Sequence, residues 1–246
     1  MLRKLAISFF LLIFSANCYA QETKEKPNNR SKMKVEIWSD IVCPFCYIGK
    51  RHFESALKSF ENADDIEIIW KSYQLDPDMP KKQLSKQNVY EYLAARKGIS
   101  TEQSKSLHDN VVKMATNAGL NYNFDKAVVA NSYDAHRLIQ LAKTKNLGDA
   151  AEEILFQAYF IEGKDIADHE TLINLGKQIG LEASAIKSML QSDQFSDEVD
   201  GDVYEAVQAG VGGVPFFVID GRFAVSGAQP SSVFLRTLQK AFDNRK

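Results

Sequence analysis

The chain has 246 residues, 45% apolar and 25% charged, which suits one elaborated globular domain or a small domain carrying a second. Its formal charge is −2, becoming −4 without residues 1–20, where Arg3 and Lys4 lie (28 basic against 32 acidic side chains remain). That mild acidity, with no basic stripe interleaved with aromatics, argues against nucleic acid as the main partner.

Residues 1–20 carry the pattern of a secretory signal peptide. Arg3 and Lys4 form a positive start, and Leu5 to Phe14 is an apolar run too short to span a bilayer comfortably. Cys18 and Ala20 place small residues at the −3 and −1 positions of a cut after Ala20. An uncleaved membrane anchor and a lipid-modified Cys18 stand as alternatives, although Asn17 fits poorly before a lipidated cysteine. Export implies the periplasm or another oxidising compartment, where disulfides persist, with no membrane attachment after cleavage. Residues 21–33 are polar, contain Pro27 and show no apolar period, the signature of a flexible linker.

Folded structure is expected from Lys34, with a strand to about Ser39. A helix follows from Pro44 to about Phe60, its apolar face built from Ile48, Phe53, Ala56, Leu57 and Phe60. After a turn at Asn62–Asp65, Ile66–Trp70 reads as a second strand. Strand, helix, strand is a right-handed parallel unit, and chemistry in such units collects at the carboxyl end of the strand. Cys43 lies there.

Residues 76–194 read as an inserted helical subdomain between the two parts of that domain, 34–75 and 195–246. Ser100-x-x-Gln103 resembles a capping box, with Leu107, Val111, Met114 and Ala118 following at helical spacing and Gly119 as the stop. Further helices are expected over 132–144, 149–161, after an Asp168 cap, and over 182–191. A helix over 196–209 presents Val199, Val203, Ala206 and Val207. Phe216–Ile219 is a buried strand, Asp220-Gly221 a type I′ turn, Phe223–Val225 its return, and Ser231–Phe242 the last helix.

The chemistry concentrates in Cys43-Pro44-Phe45-Cys46. Two thiols separated by two residues at a helix N-terminus suit reversible disulfide exchange, because unpaired N–H groups and the helix dipole favour the reactive thiolate. Pro44 and Phe45 shape its surroundings, and Cys43 is expected to be the more exposed sulfur. With Cys18 removed, two thiols remain, whereas a structural zinc wants four ligands; His52, His108, His136 and His169 form no closely spaced pair, so no metal is expected. Val214-Pro215 stands just before a buried strand, where proline cannot join the ladder. A cis bond there would turn the preceding peptide outward toward an extended substrate; a trans strand-opening proline is the alternative.

Together these segments resemble the DsbA family of thioredoxin-fold oxidoreductases, in particular its FrnE-like branch. Asp40 to Lys50, Gly210 to Val218 and Ser226 to Pro230 carry the likeness, which spans roughly residues 34–243. The resemblance implies a thioredoxin-like α/β fold with an inserted all-helical subdomain, Cys43 as nucleophile, Cys46 as resolving thiol and a cis Val214-Pro215 facing them. It further implies protein thiols and disulfides as substrates, a separate redox partner and no bound cofactor beyond the pair, with glutathione a possible co-substrate. Related 2-hydroxychromene-2-carboxylate isomerases and kappa-class glutathione transferases typically carry serine at the position of Cys43, so the intact pair favours redox exchange over a glutathione-dependent isomerase or transferase. A chaperone-like binder is the non-catalytic alternative.

Relatives often bury an acid beneath the disulfide; here Glu36 and Asp40 both qualify. With no histidine between the cysteines, a potential in the reducing half of the span from about −270 to about −120 mV is expected. His52 reads as a surface residue or a weak electrostatic contributor, and His136 as a helix-surface or core residue or as lining a cleft. Trp38, Phe45 and Phe216 read as an apolar rim, or Trp38 and Phe216 as core. Met114 and Met189 fit helix cores.

Overall fold

The computed structural model describes residues 31–81 and 87–245. The signal-peptide reading of 1–20 and the linker reading up to residue 30 lie outside them. A four-stranded sheet has the order β2-β1-β3-β4, with β1 (Met33–Ser39), β2 (Ile66–Ser72), β3 (Phe216–Ile219) and β4 (Phe223–Ser226). β1 runs parallel to β2 and antiparallel to β3, which pairs antiparallel with β4. The first strand starts one residue before the expected Lys34. Met33 is fully buried, so it belongs to the strand and not to the linker.

Side chains alternate across the sheet. Val35, Ile37 and Phe217 face α1 (Pro44–Lys58) and α9 (Ser231–Asp243), where the Phe217 ring lies 5.5 Å from Phe53 and 4.6 Å from Phe234. Trp38, Phe216 and Val218 face the other way, toward α8 (Ser196–Gln208) and Val211. The β3–β4 turn places both Asp220 (φ 53) and Gly221 (φ 64) at positive φ, as a type I′ turn demands.

The insertion holds α2 (Val89–Lys97), α3 (Thr101–Asn117), α4 (Tyr133–Lys143), α5 (Gly148–Gln157), α6 (His169–Gln178) and α7 (Ala183–Leu190). The capping box at Ser100 forms as expected, and the Asp168 carboxylate accepts the Thr171 N–H. α2 escaped the sequence reading because its apolar face is weak, with only Val89 and Ala94 buried, although Asn88 and Glu91 make a full capping box. α5 stops at Gln157 and passes into a wider turn over Ala158–Glu162. Three positions of the expected apolar faces are open: Val207 is 64% exposed, Leu107 43% and Met114 42%, while Met189 is buried as expected. Helical period identifies an apolar stripe but not what covers it. Among the described residues no helix is long and apolar enough to cross a membrane.

The insertion grips α1 through rings and charges. Tyr47 stacks on Phe156 at 4.9 Å, and the Tyr122 hydroxyl donates to the Pro44 carbonyl at 2.7 Å. Lys50, its side chain 3% exposed, pairs with Glu54, with Asp149 at 3.3 Å and with Glu153 at 3.2 Å.

Candidate functional site: a dithiol in the wall of an apolar cleft

Cys43 is the N-cap of α1 and Pro44 opens its first turn, so the pair sits where the sequence placed it. The proline at this position loses no hydrogen bond, because the first amides of a helix have no partner inside it. The Cys43 N–H donates to the Asp40 carbonyl and the Cys46 N–H to the Cys43 carbonyl, both at 3.0 Å. Both cysteines are free thiols. Both are buried, at 3% for Cys43 and 1% for Cys46, so Cys43 is the more exposed of the two by a narrow margin only. What separates them is access: Cys43 lines a cleft and Cys46 lies behind it. Val214–Pro215 is cis, and the Cys43 thiol donates to the Val214 carbonyl at 3.4 Å, joining residues far apart in the chain.

The cleft has a volume of about 590 Å³ and is mostly apolar. Cys43, Phe45 and Val214 form one wall, and Leu107, Val111 and Met114 of α3 form its roof. This explains the exposure of Met114, whose stripe faces the cleft rather than the core. Two polar groups of the lining are engaged: Arg96 pairs with Asp76 and the Tyr92 hydroxyl, and His108 Nδ1 lies 2.8 Å from the Ser104 carbonyl. Phe45 is exposed at the mouth, whereas Trp38 is buried, its indole N–H donating to the Asp202 carbonyl at 2.9 Å. Phe216 is half-buried with its ring edge-on to Trp38, so of the three rim candidates Phe45 alone lines the cleft.

Burial pushes the Cys46 thiol well up, and the adjacent Cys43 adds to this, while the Asp40 amide and the Ser39 hydroxyl oppose it. The two candidate acids separate cleanly. Glu36 projects to the α8 side of the sheet, with its nearest charge Lys71 at 3.9 Å. Asp40 is fully buried; its carboxylate accepts the Leu75 N–H at 2.7 Å and the Val42 N–H at 3.3 Å. The ring of His136, from α4, is also fully buried, with Nε2 3.4 Å from the Asp40 carboxylate. His136 is thus a core residue behind the active loop. His52 lies away from the thiols, with Nδ1 2.9 Å from the Gln229 carbonyl.

Glu152 of α5 went unnoticed in the sequence, where nothing distinguishes it from the neighbouring Glu153. It is buried, and its carboxyl is pushed up to about 8 by burial, with Asp149 and Asp40 adding and Lys50 and Lys143 opposing. Among the described residues no three His, Cys, Asp or Glu side chains are grouped to hold a metal ion.

Close contact between α1 and the Pro215 ring can be tested. A Cβ on Gly49 would stand 2.9 Å from Pro215 Cγ. Gly49→Ala is expected to lower stability by about 1–2 kcal/mol, the overpacking cost exceeding the gain of up to about 1 kcal/mol in helix propensity. Urea unfolding measures it, and a variant as stable as the parent would show that the contact yields.

A family model described as a DSBA-like thioredoxin domain matches residues 34–239. The uncharacterized protein YwbO of Bacillus subtilis is 29% identical over 206 residues, 83% of this chain and 94% of YwbO. Among solved structures, a probable DsbA oxidoreductase from Streptomyces coelicolor is 38% identical with a TM-score of 0.82, covering 87% of this chain and 92% of that one. A 2-hydroxychromene-2-carboxylate isomerase shares the fold at 18% identity and a TM-score of 0.62, covering 87% of this chain and 96% of its own.

Proposed function

The chain belongs to the DsbA-like thioredoxin family, and from that premise we propose that it is an exported thiol:disulfide oxidoreductase exchanging disulfides with protein substrates through Cys43 and Cys46. The observation that carries this is the Cys43 sulfur in the wall of an apolar cleft, 3.4 Å from the Val214 carbonyl, with Cys46 behind it. The Cys43 thiolate attacks a substrate disulfide; one substrate sulfur leaves as a thiolate and takes a proton, and the other stays bonded to Cys43. Cys46, deprotonated, then attacks the Cys43 sulfur, releasing the second substrate thiol and leaving the pair oxidised. Run backward, the oxidised pair delivers a disulfide.

A polypeptide cysteine with apolar neighbours suits the cleft lining. Arg96 is engaged by Asp76, which leaves Lys97 among the described lining residues as the cation for a glutathione carboxylate. The place of glutathione is as a small-thiol candidate for recharging the pair, a role otherwise filled by a separate redox partner. The two thiols favour exchange over isomerisation.

The test is to recover the protein from the periplasmic fraction, weigh it and assay insulin reduction. A mature chain starting at Gln21, active on insulin and equilibrating with glutathione below about −195 mV, the middle of the thioredoxin-to-DsbA span, is the expected result. Absence from the periplasmic fraction refutes export, a chain that keeps residues 1–20 refutes cleavage after Ala20, and an inactive one refutes the exchange chemistry.

A further inference from the structure

A hydrogen bond joins the insertion to the redox motif and takes no part in the exchange step itself. Tyr122, in the stretch between α3 and α4, is buried, and its hydroxyl donates to the Pro44 carbonyl at 2.7 Å. Three rings fix its aim. Phe160 stacks on Tyr122 at 4.6 Å, Phe124 meets it edge-on at 5.6 Å, and Tyr47 lies nearly parallel at 6.1 Å. Burial pushes the Tyr122 phenol up, and Cys43 and Cys46 add to this, so it stays a donor while the pair reacts.

The acceptor does not need this bond. Pro44 is the first residue of α1, and the carbonyl there takes the N–H four residues on, as in any α-helix. The added bond acts on the peptide unit that Pro44 shares with Phe45, because a donor on the carbonyl polarises the unit and strengthens its N–H. That N–H is the second amide of the helix and bonds to no group among the described residues. The third, from Cys46, is taken by the Cys43 carbonyl at 3.0 Å. These two amides are the ones an N-cap side chain takes up, and Cys43 is the N-cap, with extended backbone (φ −88, ψ 111). As a thiol it donates to the Val214 carbonyl. As a thiolate it can only accept, and the Phe45 N–H is the free donor beside it.

We propose that Tyr122 is a positioning residue for the redox pair: held by the insertion, its hydroxyl polarises the Pro44–Phe45 peptide toward the Cys43 thiolate and makes the pair a stronger oxidant. This rests on the redox-pair reading above. Stabilising the reduced form raises the potential of a dithiol. In the disulfide Cys43 carries no charge, so the polarised amide favours the reduced form. The inserted helices thereby set the poise of thiols that belong to the thioredoxin-like part of the chain.

Equilibration with glutathione measures the effect. Glutathione disulfide takes two electrons from the pair: its S–S bond breaks, the Cys43–Cys46 bond forms, and both thiol protons pass to the two glutathione thiols. Tyr122→Phe keeps the ring and removes the donor. It is expected to shift the equilibrium about two- to fourfold toward the oxidised protein, or about 9–18 mV, the share of a charge-assisted hydrogen bond that polarisation supplies. Tyr47→Phe removes a hydroxyl from the same ring stack, one that donates to Glu153 at 2.7 Å and not to the motif, and should leave the equilibrium unchanged. A merely structural role for Tyr122 would weaken both redox forms alike and leave the constant where it is. Thermal melting checks each variant's fold. If Tyr122→Phe does not fold, the parent decides: its Phe45 amide proton signal should move downfield as Cys43 ionises. An unchanged constant in Tyr122→Phe, an equal shift in Tyr47→Phe, or a Phe45 signal that stays in place overturns the proposal. A parent protein that forms no Cys43–Cys46 disulfide with oxidised glutathione overturns instead the redox-pair reading.

Discussion

Cys43→Ser is expected to lower disulfide exchange by at least about 10³-fold, because a serine hydroxyl neither ionises near neutral pH nor forms a reversible bond to sulfur. The environment would be kept: serine retains a donor for the Val214 carbonyl, and the α1 amides stay in place. Loss of activity in a folded variant therefore reports the sulfur and not the scaffold. Cys46→Ala should behave differently. It leaves the first attack intact and removes the second, so a mixed disulfide on Cys43 accumulates and turnover stops after one event. Insulin turbidity measures the first effect, and intact mass of the incubated variant the second. A Cys43→Ser protein that still reduces insulin, or a Cys46→Ala protein that gathers no adduct, removes the basis of the proposed function.

Removing the charge of Lys50 is expected to be the most costly surgical change behind the site. Lys50→Met keeps the aliphatic volume but leaves Glu54, Asp149 and Glu153 facing one another, with Arg51 alone still pairing to Glu54 and Glu153. Breaking a buried ion pair by deleting one partner costs about 3–5 kcal/mol. Half-exposed Asp149 and the remaining Arg51 argue for about 3 kcal/mol, the low end of that range. The pH dependence carries a definite sign. Burial by itself would lower the Lys50 ammonium, but Asp149, Glu54 and Glu153 outweigh it and raise the group. Its stabilisation is full below the ordinary lysine value of about 10.4 and fades as pH rises through the folded one. Burial likewise works against the Glu153 carboxylate, but Arg51, Tyr47 and Lys50 together lower it. That contribution is present above the ordinary value of about 4.3 and fades as pH falls through the folded one. The loss should therefore be largest near neutral pH and shrink in acid. Urea unfolding at neutral and at acid pH measures it, and an equal loss at both would show that Lys50 acts by packing alone.

The order of elements was largely legible because each rests on local physics. Ser100 and Gln103 cap a helix through neighbours three residues apart, and Asp220-Gly221 turns a hairpin through its own dihedrals. Where the reading failed, the deciding contact was remote. Met114 and Val207 obey helical period, but only the packed structure shows that one faces a cleft and the other solvent. α2 lacked a strong apolar face, and its capping box at Asn88 and left-handed Gly98 stop were the local signals that could have revealed it.

The sequence by itself determined that two thiols stand at the head of the first helix, after a strand and with a proline-led strand still to come, since these features depend on residues adjacent in the chain. Only the tertiary structure decided that Asp40 rather than Glu36 lies behind them, that His136 meets it, and that α3 roofs the cleft. The reason is physical. Strand alternation and helical period choose a face within an element, whereas burial of a charge is decided by whichever distant helix packs over it, and that choice is not written in neighbouring residues.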